Sequence, residues 1–185
     1  MILCTGNPAD PTVASAVKKI FPQAEFASRS TGYDLRFWDP SSEDHFKQQI
    51  ANYSVFINSS FICDNGQLAL LETAHSVWSK NQINGHIFNI GSTAEHLGID
   101  VTDNLYARYS IQKRSLRDRS LQLNEKNGIK TTHITAGGLN DGLPEHSNWL
   151  DLTHIAQTIQ WILQHPCTIP LIEIHAGSNK YITKV

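Results

Sequence analysis

Short apolar runs alternate with longer segments of helical period along nearly the whole sequence, and this alternation restricts the fold more than any other feature. Strands separated by helices cannot be closed by hairpins. They are joined by crossovers, each of about a dozen residues, that lay the strands parallel and place helices on the sheet faces. The expected fold class is therefore α/β: a three-layer, doubly wound, mainly parallel sheet covered by helices on both faces.

Ile2 to Thr5 reads as a first strand, ended by Gly6. Asp10-Pro11 supplies a helix cap followed by proline at the first helical position, predicting a helix from Pro11 to about Ile20. Ala24 to Ser28 is a second strand, Arg29 to Gly32 a turn, and Tyr33 to Phe37 a reduced third strand, since the connection is too short for a helical crossover. Asp39-Pro40 repeats the cap-and-proline signature and opens a helix to about Ala51, which leads into the strand Ser54 to Asn58.

The next helix, Asn65 to Lys80, carries Leu68, Leu70, Leu71, Ala74, Val77 and Trp78, a face broad enough to cover a sheet and meet another helix. A strand over His86 to Ile90 precedes Gly91-Ser92, and a long helix is expected from about Asp103 to Lys126. Ile129 to Thr135 is a strand, Ala136 to Gly138 a turn and Leu139 to Trp149 a loop. A helix from Thr153 to about Gln164 and a strand from Pro170 to His175 complete a single domain over residues 1–185.

A net charge of −2 gives no basic excess for nucleic acid or an acidic membrane face, and no apolar run is long enough to span a bilayer. The three cysteines, Cys4, Cys63 and Cys167, are odd in number and far apart, which suits reduced thiols and a cytoplasmic setting. Nine histidines are scattered without the spacing of a metal site, and His86, His133 and His175 read as sheet residues. The basic run Lys113 to Arg119 reads as a solvated helical face with Asp118 interspersed.

Tyr109 and Lys113 stand four residues apart early on the long helix, so they share one face. An ammonium beside a phenol stabilises the phenolate and is expected to lower the tyrosine pKa towards the range useful for proton transfer. In a doubly wound sheet, ligands sit beyond the carboxyl ends of the strands. Gly6, Asn58, Ser92, the Tyr109/Lys113 pair and Gly137 all fall at that rim.

The ordered set Thr5-Gly6, Asn58-Ser59-Ser60, Asn65, Asn89-Ile90-Gly91-Ser92, Tyr109-x-x-x-Lys113 and Thr135-Ala136-Gly137 resembles the short-chain dehydrogenase/reductase family over nearly the whole chain. The resemblance implies a Rossmann-type fold and a nicotinamide-dependent oxidoreductase that interconverts a carbonyl and an alcohol on a small substrate. It places a catalytic tetrad on Asn65, Ser92, Tyr109 and Lys113. Tyr109 would exchange a proton with the substrate oxygen and Ser92 would hydrogen-bond that oxygen. Lys113 would lower the tyrosine pKa and bind the nicotinamide ribose, and Asn65 would hold a water serving Lys113.

Cofactor contacts would fall on Gly6, Thr12, Arg29, Ser30, Asn58, Tyr109, Lys113 and Gly137. The family's glycine-rich turn has Asp10 and Thr12 at two of its glycine positions here, and the Thr12 hydroxyl is expected to donate to phosphate in compensation. Ser28 to Thr31 carry no acid at the end of the second strand, while Arg29 offers a planar fork suited to a 2′-phosphate, so NADP(H) is expected over NAD(H). The resemblance and the apolar breadth of the two long helices imply a homodimer or homotetramer. The alternative is a degenerate, non-catalytic relative that binds a nucleotide or a protein partner.

Overall fold

The computed structural model describes residues 1–9, 11–31, 39–60, 66–96 and 104–176. Six strands form one sheet in the order β2-β1-β3-β4-β5-β6, every neighbouring pair parallel. They are β1 (Ile2–Thr5), β2 (Glu25–Ala27), β3 (Val55–Asn58), β4 (His86–Ile90), β5 (Lys130–Ala136) and β6 (Leu171–Ile174). Among the described residues the α-helices are α1 (Val13–Ile20), α2 (Pro40–Ile50), α3 (Gly66–Lys80), α4 (Asn104–Leu123) and α5 (Leu152–Gln164).

The central strands read as continuous apolar runs because both their faces are buried. Alternate residues of β1 show this: Cys4 packs with Val13, Val17, Ile155 and Ile159 of α1 and α5, whereas Leu3 packs with Phe46, Leu70, Leu71 and Leu116 of α2, α3 and α4. Two apolar layers therefore sandwich the sheet, as the alternation of runs requires.

Element ends differ from the sequence expectations where side-chain capping decides them. α1 begins at Val13 and not at Pro11, because Thr12 is its cap: Thr12 Oγ1 accepts the Ser15 N–H at 3.0 Å and Ser15 Oγ accepts the Thr12 N–H at 3.2 Å. Asp10 lies outside the described residues. Asp39 does cap α2, its carboxylate accepting the Ser42 N–H at 2.7 Å. α4 ends at Leu123, short of Lys126, and the chain then turns through Glu125 and Asn127 in left-handed conformation. The expected strand Tyr33 to Phe37 lies outside the described residues, as do Asn65 and Cys63. Cys4 is buried, and burial pushes its thiol up to about 12, which keeps it inert.

Candidate active site

The chain steps outward from β1 to β2 and then crosses back over β1 to β3 and on to β4, so the crevice between the carboxyl ends of β1 and β3 is the topological switch point. Gly6 and Ser59-Ser60 stand there. Gly6 has φ +123, and a Cβ on it would lie 3.2 Å from the Ala14 side chain and 3.3 Å from Ser60 Oγ. Only glycine leaves the backbone open at this point. The Thr5 hydroxyl ties the two strands together, accepting the Ser59 N–H at 2.9 Å and the Ser60 N–H at 3.1 Å.

Asn58, at the end of β3, is fully buried. Its Nδ2 donates to Gln67 O at 2.8 Å and to Asn89 Oδ1 at 3.0 Å, and its Oδ1 has no partner among the described residues. Gln67, in the first turn of α3, answers by donating Nε2 to Asn58 O and Ile90 O, at 2.7 and 3.0 Å. The carbonyl oxygen of the same side chain then accepts the Lys113 ammonium at 2.8 Å, and Ile90 O accepts it at 2.9 Å. The lysine sequence reasoning singled out is thus anchored by Gln67, a residue it did not single out.

Tyr109, Lys113 and Ser92 lie close to one another. Ser92 and Tyr109 share a side-chain hydrogen bond, and Lys113 Nζ lies 5.6 Å from the centre of the Tyr109 ring. The electrostatics differ from expectation. Tyr109 has its pKa raised, chiefly by burial, with the charges of Tyr106 and Glu95 adding to the effect and the Ser92 hydrogen bond opposing it. The Lys113 ammonium is directed at Gln67 Oε1 and Ile90 O. Burial draws the Lys113 pKa itself down to about 8, with Glu95 opposing.

Behind Ser92 lies a second group that the sequence did not announce. A short 3-10 helix, Thr93–His96, carries Glu95, whose side chain is wholly buried. Glu95 Oε2 is 2.9 Å from His133 Nε2, Oε1 accepts the Thr135 hydroxyl at 2.5 Å, and Arg117 Nη1 stands at 4.0 Å. Burial tends to raise the Glu95 carboxyl, but its bonds to His133 and Thr135 and the Arg117 charge together bring it below the usual range. The basic run on α4 is accordingly not all solvated: Lys113 is buried, and Arg114 Nε donates to Glu95 O at 3.1 Å.

The remaining candidates are more dispersed. Thr12 Oγ1, expected to face phosphate, is 2.8 Å from Asn7 O and 3.0 Å from Ala9 O besides capping α1, so its donor is engaged within its own turn. Arg29 and Ser30 are exposed in a 3-10 turn, Arg29–Thr31, directly after β2. Ser30 Oγ is 2.7 Å from Ser28 Oγ. Gly137 follows β5 with its N–H donated to Ile174 O at 2.9 Å. Among the described residues no group of three or more His, Cys, Asp or Glu could hold a metal ion, and no helix is long and apolar enough to cross a membrane.

The sequence matches no family model and no curated protein. The fold is nevertheless that of solved short-chain dehydrogenases. A 3-alpha-hydroxysteroid dehydrogenase from a Pseudomonas species, solved with NADH, superposes with a TM-score of 0.72 at 10% identity, covering 99% of this chain and 98% of that one. Serine dehydrogenase from Escherichia coli gives 0.69 at 15% identity, covering 96% and 99%. A short-chain dehydrogenase from Burkholderia cenocepacia in complex with NADP gives 0.65 at 10% identity, covering 96% and 88%.

Proposed function

We propose that this chain is a short-chain dehydrogenase/reductase, one domain over residues 1–185, that interconverts a carbonyl and an alcohol on a small molecule with a nicotinamide cofactor. The observation that carries this reading is the hydrogen bond between Ser92 and Tyr109 at the carboxyl rim of the sheet, with the Lys113 ammonium 5.6 Å from the phenol ring. The residues fit a dinucleotide. Gly6 leaves open a cradle that a Cβ would fill, and Asn58, at the carboxyl end of β3, keeps a buried carbonyl oxygen without a partner among the described residues.

When bound, the nicotinamide supplies or accepts the hydride. Tyr109 passes the proton to or from the substrate oxygen through its Oη, and Ser92 holds that oxygen by a hydrogen bond. Lys113, fixed by Gln67 Oε1 and Ile90 O, supplies the positive charge that favours the phenolate as the proton leaves. Asn65 takes the water-holding role that the family resemblance implies, while Gln67 is the direct anchor of Lys113. Arg29, exposed beyond β2 with no acid among Ser28 to Thr31, supports NADP(H) over NAD(H).

The test is a panel of small ketones and aldehydes with NADPH, read by loss of reduced-nicotinamide absorbance, on the native chain and Tyr109→Phe. The variant is expected to keep cofactor binding and lose turnover by a factor of about 10²–10⁴. Unchanged turnover would remove Tyr109 from its role. The second reading, a non-catalytic relative, is favoured by one observation: Thr12 and Ser15 cap α1 reciprocally where a glycine cradle for phosphate would stand.

A further inference from the structure

We propose that Glu95 is a positioning residue of this site: its buried carboxylate pins the segment carrying Ser92 to β5 and α4, and its charge acts on the Tyr109/Lys113 pair. The proposal rests on the reading of Ser92, Tyr109 and Lys113 given above. Ser92 sits on the connection between β4 and the Thr93–His96 helix, and such a connection has no ladder of its own to hold it. The structure supplies ties from both sides. Glu95 N–H donates to Ser92 O at 3.0 Å, closing the first turn of the short helix. From β5, His133 and Thr135 hold the two carboxylate oxygens. From α4, Ser110 Oγ donates to Ala94 O at 2.5 Å and Arg114 Nε to Glu95 O. α4 is also the helix that carries Tyr109, so these ties set the distance between the two hydroxyls that share one substrate oxygen.

Gly91 shows how closely the group is fitted. A Cβ at this position would lie 2.1 Å from His133 Nε2 and 2.9 Å from Glu95 Oε2, so the imidazole and carboxylate occupy the space of the missing side chain. His133 Nδ1 is buried with no partner among the described residues, which places the ring proton on Nε2, where it is donated to Glu95. Against the effect of burial, bonds to His133 and Thr135 and the nearby Arg117 bring the Glu95 carboxyl below its usual range, so it carries a negative charge. Arg117, at 4.0 Å, is the facing cation from α4, His133 the titratable group from β5, and Lys113, Tyr109 and Tyr106 the further titratable groups on α4. A buried negative charge here makes both Tyr109 and Lys113 hold their protons more firmly, and Glu95 raises both.

The test is Glu95→Gln, which keeps shape and removes charge. Tyr109 is titrated by NMR in protein carrying 13Cζ-labelled tyrosine, with Tyr109→Phe identifying its signal, and neither cofactor nor substrate is needed. The midpoint is expected to move to lower pH by about 0.5–1. With NADPH and a turned-over carbonyl, kcat is expected to fall about ten-fold or more while cofactor Kd stays within about two-fold, because a slight misplacement of the hydroxyls costs rate and not cofactor contacts. If Glu95→Gln does not fold, the double variant Glu95→Leu/His133→Leu replaces the pair with apolar groups and is read for the same midpoint shift. An unmoved midpoint in the variant that folds, or an unchanged kcat, overturns the proposal. A native chain without turnover would refute the oxidoreductase reading, while the midpoint would still decide whether Glu95 acts on Tyr109.

Discussion

Lys113 offers the most quantitative consequence of this architecture. The residue is 4% exposed, and burial draws its pKa from the ordinary 10.5 to about 8. Between these two values the unfolded chain binds more protons than the native one, so native stability rises with pH across this window, and the penalty is fully present below about pH 8. A displacement of about 2.5 pH units corresponds to about 3 kcal/mol at 1.36 kcal/mol per unit. Lys113→Met removes the titrating group. It leaves Gln67 Oε1 without this donor, a cost of about 1–3 kcal/mol that does not vary with pH, whereas Ile90 O keeps the Gln67 Nε2 donor. Urea unfolding of both proteins from pH 7 to 10.5 therefore isolates the lysine. The native chain is expected to gain stability relative to the variant by about 1.4 kcal/mol per pH unit above pH 8, approaching about 3 kcal/mol in all. A difference that stays flat from pH 7 to 10.5 would mean that Lys113 has an ordinary, hydrated ammonium, and the site geometry built on its burial would fall.

Two further outcomes follow from surface residues. Arg29→Ala should weaken NADPH by a charge-assisted contact of about 1.5–3 kcal/mol while leaving NADH little changed, as read by calorimetry; equal losses for both cofactors would relocate the 2′-phosphate. α4 exposes Leu105, Tyr106 and Ile111, at 77%, 43% and 50%, a poor solvent face for a monomer. Pairing of α3 and α4 with those of a second copy is proposed to cover it, and sedimentation at micromolar concentration should show a dimer or tetramer; a monomer alone would remove the idea.

The fold was legible because β1, β3 and β4 are apolar on both faces and each is followed by a segment of helical period, a pattern that only a covered parallel sheet satisfies. Ends were less legible. The cap of α1 is a Thr12/Ser15 pair, and serine at the third helical position lacks the acid or amide that signals a capping box, so Asp10-Pro11 is the stronger start signal in the sequence. At the site, Ser92, Tyr109 and Lys113 were readable because local spacing places them on one rim. Gln67 was not, since a polar residue in a first helical turn ordinarily faces water, whereas here it bridges Asn58, Ile90 and Lys113. Glu95 and His133 were hidden for another reason: they are 38 residues apart in sequence, and a bond between a 3-10 helix and a strand leaves no periodic trace.

The central claim, a Rossmann-type fold that still holds a nicotinamide cofactor despite a capped α1 turn, is tested most directly by calorimetric titration of the purified chain with NADPH and with NADH. Saturable binding of NADPH, tighter than that of NADH by the roughly 1.5–3 kcal/mol assigned to Arg29, is the predicted result. Binding of neither cofactor would contradict it and leave the non-catalytic reading in its place.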